Sequence, residues 1–439
     1  MSGNGRWGGQ NLTASPSQPV LAPGTGTAPS SWAGMALNIS EAEQDQILAE
    51  AVEALQRQGL PLNLLRDTAQ LAAKAQPVVV SAISRRGQVV SPALQSALIQ
   101  RVVAQVGGLG FLNGLIPARN FDPGYSEIAL TPDGGVWVLR KGAQDFEQLT
   151  LRPSTAEVWR AVESLLAPLG RSVSEATPSV DAKLPRSEGM GGARVKILHP
   201  LLTPGQGYPS INVRLFEARP VRPEQLIEWR VAPPAVIQAL VETVSHQARL
   251  LVIGGTGTGK TTILSALASG IPKQARVVKI EDPEEIWLDH PHVVTIEARP
   301  ALPGSSVPAY TLKNGVDDAM RMSPRWLILG EVRTGDAAMS LFRAQMSDHP
   351  GLSTFHAESP EHSVFRMGVI MGADVKVDLD TVKGIFVEAI DLVVQVGWLD
   401  GRRQVLGAWE VERRMQDNQV RFRQLYRPGE AEMLSMQRR

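Results

Sequence analysis

Residues 250–262 read LLVIGGTGTGKTT, an apolar run that passes into a glycine-rich loop and then into helical sequence. Glycines let successive backbone N–H groups converge on phosphate oxygens without clashes from Cβ atoms, and the following helix adds its positive N-terminal end. In this pattern Lys260 is expected to reach the β- and γ-phosphates, and the Thr261 hydroxyl is expected to ligate Mg²⁺. The phosphate loop comprises Gly254, Gly255, Thr256, Gly257, Thr258, Gly259, Lys260 and Thr261, and Thr262 is assigned to the nucleotide with it. The stretch therefore predicts a strand–loop–helix unit that binds ATP with Mg²⁺.

The chain around the phosphate loop alternates helical and strand patterns. Such alternation is typical of an α/β domain in which helices cover both faces of a mostly parallel sheet. The candidate strands are the apolar runs 250–253, 277–280, 293–296, 326–329 and 392–396. We therefore predict a P-loop NTPase domain over residues 235–412.

The N-terminal part of the chain differs in composition and in hydrophobic pattern. Residues 1–38 are rich in Gly, Ser, Pro and Thr and contain a single charged side chain, Arg6. Such a segment buries too little apolar surface to offset the entropy of ordering it, so it is predicted to be a disordered extension. Ser40 followed by Glu43 is a capping-box pattern, and it opens a predicted helical segment over residues 39–107.

Between these segments and the phosphate loop, the pattern indicates a mixed domain. Apolar runs on either side of Pro132–Gly135 predict a β-hairpin, and residues 108–220 as a whole predict an α+β N-terminal domain. Residues 221–234 combine prolines with charged side chains and are interpreted as a linker. At the other end of the chain, residues 413–439 are polar and basic and are interpreted as a C-terminal tail.

Two acidic clusters follow candidate strands of the ATPase domain. The first is Glu281–Glu285, and the second is Glu331 within Leu327–Arg333. Because the carboxyl ends of parallel strands face the ligand crevice, both clusters are expected near the phosphates, although each could be a solvated acidic loop. The second cluster has a glutamate after glycine and no aspartate, so Glu331 is expected to hold Mg²⁺ through water.

Composition restricts the class of protein. Lysine plus arginine and aspartate plus glutamate both total 44, and there are no cysteines. The absence of cysteine excludes disulfides and thiolate zinc sites, and the zero net charge weighs against a dominant nucleic-acid binder. No apolar run approaches the roughly 18–20 residues of a membrane span, and no apolar stretch follows Arg6 as in a secretory signal. These features lead us to expect a cytoplasmic protein.

The order of these motifs resembles the secretion ATPase superfamily of type II secretion, type IV secretion and type IV pili. Glu281–Glu285 resembles its aspartate box, Leu327–Arg333 its atypical Walker B motif, and Ser353–Ala357 its histidine box. Further strings resemble the Tad/Flp pilus-assembly branch and its conjugative relatives: His290–Val294, Glu297–Pro300, Ala319–Met322, Val180–Leu184 and Ile211–Phe216. The similarity extends over about residues 92–412.

The resemblance implies roles for individual residues. Glu285 and Glu331 match the family's catalytic glutamates, and His356 matches a residue that senses the γ-phosphate, although a lone histidine at a strand end is usually structural. Arg194 and Arg214 match basic residues of the family's N-terminal domain that can approach the phosphates. The alternative is that both arginines form surface salt bridges. Arg321 and Arg333 match family arginines that contact either the γ-phosphate or the acidic boxes. Glu281 is assigned, like these arginines, to the nucleotide site.

The resemblance also implies a RecA-like ATPase domain in a ring-shaped homohexamer, with nucleotide between the N-terminal and ATPase domains. Its expected partner is an inner-membrane platform protein, with membrane association through partners at the cytoplasmic face and no sequence-specific nucleic acid. Two departures from the family occur, at Ser347–Gly351 and at Arg325-Trp326. They leave a weak or tightly regulated ATPase as one possibility.

Three functions therefore stay open at the level of sequence. The first is an ATP-hydrolysing motor of pilus assembly or secretion, driven by opening and closing of the two domains. The second is a DNA-translocating or packaging ATPase, against which zero net charge and the histidine box weigh. The third is a nucleotide-dependent scaffold with little turnover.

Overall fold

The computed structural model describes residues 39–60, 64, 67–107, 109–117, 122–186, 191–301 and 306–437. The predicted disordered extension, residues 1–38, lies outside the described residues, as does Gly108 at the predicted start of the α+β domain. Within the described ranges, no helix is both long and apolar enough to cross a bilayer.

Within the described residues, the first unit contains helices α1 (Glu41–Gln56), α2 (Thr68–Arg85) and α3 (Pro92–Val106). The capping box at the start of α1 is present, because the Ser40 hydroxyl accepts from the Glu43 amide and the Glu43 carboxylate accepts from the Ser40 amide. The three helices bury a core of their own, which includes Ile47, Leu71 and Leu98.

The second unit is an antiparallel sheet with one long helix. Its elements are β1 (Tyr125–Leu130), β2 (Val136–Arg140), β3 (Glu147–Gln148), helix α4 (Thr155–Leu166), β4 (Ser179–Leu184), β5 (Ala193–Leu198) and β6 (Ser210–Leu215). The strand order is β3-β2-β1-β6-β5-β4, and β1 and β2 form the predicted hairpin. Alternate residues of β5 and β6 are buried, because one face of the sheet packs against α4. The opposite face is left free to meet the rest of the molecule.

The third unit is a mixed sheet around the phosphate loop. Its strands are β7 (Leu250–Ile253), β8 (Val277–Glu281), β9 (Val293–Glu297), β10 (Trp326–Leu329), β11 (Gly351–Phe355), β12 (Leu392–Leu399), β13 (Arg402–Val411) and β14 (Phe422–Tyr426). The order is β14-β13-β12-β7-β11-β10-β8-β9, in which β12 to β9 run parallel and β13 and β14 are antiparallel additions. Strands β7, β8, β10 and β11 are buried along their whole length, which explains why β7 and β10 read as continuous apolar runs.

Helices cover both faces of this sheet. They are α5 (Pro223–Glu228), α6 (Pro234–Ser245), α7 (Lys260–Leu267), α8 (Leu312–Ala319), α9 (Gly335–Met346), α10 (Pro360–Val375) and α11 (Leu379–Ala389). The first three pack on one face, and the last four pack on the other. The predicted fold class, an α/β P-loop domain preceded by an α+β domain and a helical segment, is therefore confirmed.

Two segments differ from their sequence interpretation. Residues 221–234, interpreted as a linker, include α5 and place Val221, Leu226 and Val231 in the core of the ATPase domain. Residues 413–439, interpreted as a polar tail, contain β14, whose Leu425 and Tyr426 are buried against the same core. Both segments were missed for the same reason, since their few apolar residues are spread among charged residues and prolines.

Candidate nucleotide-binding and catalytic site

The phosphate loop joins the buried strand β7 to helix α7. Gly257 and Gly259 have φ angles of 72° and 90°, which L side chains rarely adopt, and a Cβ on Gly254 would lie 2.3 Å from the Val396 carbonyl oxygen. The N-cap of α7 is Gly259, and no side chain caps it. The first amides of α7 are therefore free to bind phosphate oxygens, as the sequence predicts.

Lys260 folds back over its own loop. Its Nζ donates to the carbonyl oxygens of Gly254 (3.1 Å) and Gly255 (2.8 Å). The pKa of Lys260 is lowered to about 8, mainly by burial and to a smaller extent by Arg214, while Glu331 opposes the lowering. A phosphate anion beside Lys260 would offset both its burial and its repulsion from Arg214, so the lysine can exchange its carbonyl partners for phosphate oxygens.

The carboxyl ends of three neighbouring strands bring the predicted catalytic residues together. β11 lies between β7 and β10, and Phe355 at its end is in register with Ile253 at the end of β7. His356 follows directly, and its Nε2 lies 2.8 Å from Glu331 Oε1, which follows β10. Lys260 Nζ lies 3.4 and 3.5 Å from the two nitrogens of the same ring. His356 therefore stands between the phosphate-loop lysine and Glu331.

The pKa of His356 follows from this position. Burial and then Lys260 lower it, and Glu331 raises it by less, so the net pKa is below the ordinary value. At neutral pH the ring is therefore neutral, and it donates one N–H to Glu331. The other carboxylate oxygen of Glu331 accepts from Arg333 Nε, and Arg333 Nη1 in turn donates to the Asp282 carbonyl at 3.2 Å.

Thr261, Glu285 and Glu331 border one small cavity of about 30 Å³. A hydroxyl and two carboxylates are the oxygen donors that Mg²⁺ prefers, and the volume is about that of one water molecule in the liquid. Among the described residues, no cluster of three or more His, Cys, Asp and Glu could hold a metal by itself. These residues therefore fit a magnesium ion that takes its remaining ligands from phosphate and water.

Glu281 borders the same cavity with a side chain that is almost fully buried. It is 2% exposed, and its Oε1 accepts from the amides of Glu285 (3.1 Å) and Ile286 (2.9 Å), while Oε2 lies 2.8 Å from Lys279 Nζ. Burial raises the pKa of Glu281, and Lys279 opposes that rise. Oε1 therefore holds the turn that presents Glu285, while Oε2 pairs with Lys279 but accepts no hydrogen bond. The assignment of Glu281 to the nucleotide stays a prediction.

The N-terminal domain reaches the same turn through two cations. Arg186 Nη2 donates to the Glu285 carbonyl at 3.3 Å, its Nη1 lies 3.6 Å from Glu284 Oε1, and its guanidinium stacks over Trp287. Lys183 Nζ lies 3.5 Å from Glu284 Oε2 and also contacts Glu297. Burial alone would raise the pKa of Glu284, but Lys279, Arg186 and Lys183 together lower it. The turn is therefore held from both domains.

The predicted arginines occupy different positions. Arg214 is close enough to Lys260 to affect its pKa, and Arg194 lies beside it on β5, between Arg214 and Lys183 in the cross-strand register. Arg321 is exposed just after α8, and no contact to the phosphate loop is found for it among the described residues. The roles of Arg194 and Arg321 stay predictions.

A cleft of about 1,210 Å³ lies between the domains beside the phosphate loop. Thr258, Gly259 and Thr262 border it on the ATPase side. Four residues that sequence reasoning missed also border it: Arg186, Trp229, Trp287 and Arg403. The cleft is large enough for a nucleotide between the two domains.

The departures from the family lie away from this site. Asp348 and Pro350 precede β11, at the end of the strand opposite to His356, and the His349 ring contacts the Ala344 carbonyl there. Trp326 begins β10 and is 2% exposed in the core. Neither departure contacts the phosphate loop.

The profile of the type II/IV secretion system protein family matches residues 153–395, more than half of the 439 residues. The chain belongs to this family. The resemblance to the secretion ATPase superfamily predicted from the motifs is thereby confirmed.

Two conjugal transfer proteins and one secretion ATPase of known structure are similar to this chain. A putative conjugal transfer protein of Mycobacterium tuberculosis is 27% identical over 342 residues, which are 74% of this chain and 94% of the relative. The conjugal transfer protein TrbB of Rhizobium radiobacter is 28% identical over 274 residues, 62% of this chain and 78% of TrbB. The VirB11 ATPase of the Brucella suis type IV secretion system, solved with sulphate, aligns with a TM-score of 0.35 at 22% identity, over 66% of this chain and 90% of VirB11.

Proposed function

We propose that this chain hydrolyses ATP and uses the cycle to move its two domains against each other within a type IV secretion or conjugation apparatus or a Tad/Flp-like pilus machine. The observation that carries the proposal is the convergence of Lys260, Thr261, Glu285, Glu331 and His356 at one edge of the sheet. Membership of the secretion family and the similarity to conjugal transfer proteins support the choice of machine.

The chemistry follows from what each residue can hold. Lys260 would leave the carbonyls of its own loop and bind the β- and γ-phosphates, and Thr261 would ligate Mg²⁺, with Glu331 acting through water. The ion would neutralise charge that develops on the phosphates. Glu285 and Glu331 face the same small cavity, so either carboxylate can orient the attacking water. His356 bridges Glu331 and Lys260, and it would transmit the presence of the γ-phosphate to Glu331.

The assembly follows as a further part of the proposal. Because the cleft has walls from both domains, nucleotide that binds the closed state more tightly than the open state would draw the domains together. A homohexamer at the cytoplasmic face of the inner membrane would pass this movement to a membrane platform protein. The alternatives are a DNA-driven ATPase and a scaffold without turnover.

The test compares phosphate release by the wild-type chain, Glu331→Gln and Lys260→Ala, each with Mg²⁺-ATP. We expect Glu331→Gln to lower kcat by roughly 10²- to 10⁴-fold, the range of a lost general base or water-positioning group. Its affinity for ADP should stay within about threefold of the wild type, since the carboxylate orients water and does not bind the diphosphate. That affinity also shows that the variant is folded.

Three other outcomes of these assays would change the proposal. Wild-type turnover no higher than that of Lys260→Ala would leave a nucleotide-dependent scaffold and remove the proposed function. Equal turnover by Glu331→Gln and the wild type would remove Glu331 from the mechanism. A several-fold stimulation by duplex or single-stranded DNA would favour a DNA-translocating ATPase.

A further inference from the structure

A hairpin that sequence reasoning missed brings an arginine against the phosphate loop. Strands β12 and β13 are joined by Asp400 and Gly401, both with positive φ, and Trp398 is directly opposite Arg403 in the register. The Arg403 guanidinium stacks over the Trp398 ring at 4.9 Å. A Cβ placed on Gly259 would lie 3.5 Å from Arg403 Cδ. The side chain therefore lies along the last glycine before Lys260.

The guanidinium of Arg403 has no anionic partner. Its Nε is buried without a hydrogen bond, and in the part of the chain that the structure describes no carboxylate forms an ion pair with it. Arg214 approaches from the N-terminal domain, and it too forms no ion pair with a described residue. Burial lowers the pKa of Arg403 and Arg214 lowers it further, while the more distant Glu127 and Glu217 raise it.

Three cations from three parts of the chain therefore meet beside the phosphate loop: Lys260, Arg214 and Arg403. Arg214 lowers the pKa of both of the others, so it repels Lys260 and Arg403. A structural arginine in a half-buried position is normally paired, because an unpaired buried charge is costly. Stacking on Trp398 explains the place of the side chain, but it leaves the buried Nε–H of Arg403 without an acceptor.

We propose that Arg403 binds the α- and β-phosphates of the nucleotide, as a ligand from the β12–β13 hairpin that supplements the phosphate loop. The proposal rests on the proposed function, because it assumes that the cleft binds a nucleotide. Gly259 belongs to the part of the loop whose amides cradle the α- and β-phosphates. The Mg²⁺ and γ-phosphate side is the small cavity around Thr261, Glu285 and Glu331, and Arg403 does not border it.

This position predicts how binding and turnover divide. ATP and ADP share the α- and β-phosphates, so the loss of Arg403 should weaken both nucleotides by the same factor. The expected loss is roughly 10- to 100-fold in Kd, the range of one charge-assisted hydrogen-bonded contact. The kcat at saturating ATP should stay within about threefold, because the water-positioning residues lie on the other side of the loop.

The experiment measures the Kd of ADP, the KM and kcat for ATP, and inhibition by inorganic pyrophosphate, with the full chain. Arg403→Gln removes the charge and keeps much of the stem that packs on Trp398. Arg403→Lys keeps the charge but loses the planar stack, so it should fall between Arg403→Gln and the wild type. The matched control is Arg421→Gln, because Arg421 lies near the opposite end of the ten-residue strand β13 and forms an exposed ion pair with Asp417.

Support requires that Arg403→Gln weakens ADP, ATP and pyrophosphate alike while Arg421→Gln matches the wild type. Equal ADP affinity in the two glutamine variants would overturn the inference and leave the ATPase proposal standing. A fall in kcat with unchanged Kd would also overturn it, because Arg403 would then act on the γ-phosphate side. If the wild-type chain itself binds ADP no better than Lys260→Ala does, the proposed function fails first. A thermal midpoint without nucleotide that is no lower than that of the wild type shows that each variant is folded.

Discussion

Lys279 offers a sharp test of the network behind the aspartate box. Its side chain is 2% exposed, and its Nζ lies 2.8 Å from Glu281 and 3.0 Å from Glu284, and it also donates to the Ile286 carbonyl. Lys279→Met keeps the length of the side chain and removes the charge. The Glu281 side chain, 3% exposed, then keeps only its two amide donors against the cost of burial. Breaking a buried ion pair in this way costs about 3–5 kcal/mol.

The loss has a defined dependence on pH. Burial already raises the pKa of Glu281, and Lys279 opposes that rise, so the substitution raises the folded-state pKa further. A raised carboxyl pKa gives stability that is present at low pH and is lost as pH rises through the folded-state value. The deficit of the variant should therefore be larger at pH 7.5 than at pH 5.5, with a limiting slope of about 1.4 kcal/mol per pH unit.

Calorimetry can measure the transition that shifts when ADP is added, since that transition belongs to the ATPase domain. For a domain of this size about 1 kcal/mol moves the midpoint by roughly 2–4 °C, so Lys279→Met should lower it by roughly 6–20 °C at pH 7.5. Adding Glu281→Gln should restore much of the loss, because the amide oxygen still accepts and carries no charge. Lys313→Met, which breaks an exposed pair with Asp317, is the control and should leave the midpoint in place. A loss that is the same at both pH values, or no rescue by Glu281→Gln, would refute the reasoning.

Two further predictions concern turnover and binding. Arg186→Gln removes the donor to the Glu285 carbonyl and should lower kcat by roughly 3- to 30-fold, with a smaller change in KM for ATP, because the loss corresponds to about one hydrogen bond. The control is Arg222→Gln, which removes an exposed ion pair with Asp289 and should change neither kcat nor KM. Equal kcat values in the two variants would contradict the prediction. Because the pKa of Lys260 is about 8, and bound phosphate favours its charged form, the affinity for ADP should fall above pH 8 by up to about tenfold per pH unit. Titrations from pH 7.5 to 9.5 measure this, and a flat profile would exclude Lys260 as the titrating group.

The parts of the site that follow from local sequence could be predicted. The phosphate loop, the strand that precedes it and the position of His356 after a returning strand all depend on contiguous residues. The carboxyl ends of parallel strands meet at one edge of a sheet, and this rule predicts Glu331 near the phosphate loop, whereas the role of His356 follows from the family resemblance.

The rest depends on contacts between distant segments. The sequence pattern shows Glu281 as one carboxylate among several, and only the fold shows that Lys279 and two amides occupy it. Arg186 reaches the Glu285 carbonyl across about a hundred residues of chain, which no periodicity reveals. Arg403 was open to prediction, because Asp400-Gly401 after an apolar run is a hairpin signal that would have returned the chain to the phosphate loop.

The charges between the two domains favour the coupling that we propose. Lys183 and Arg186 are neutralised by Glu284 and Glu297, so the N-terminal domain contacts the aspartate box before nucleotide binds. Arg214 forms no such pair with a described residue and repels Lys260, which opposes a closer approach of the domains at the phosphate loop. A bound triphosphate would supply the missing negative charge at that point and nowhere else. Closure would then respond to the phosphates of the nucleotide, and release of phosphate would restore the repulsion and reopen the cleft.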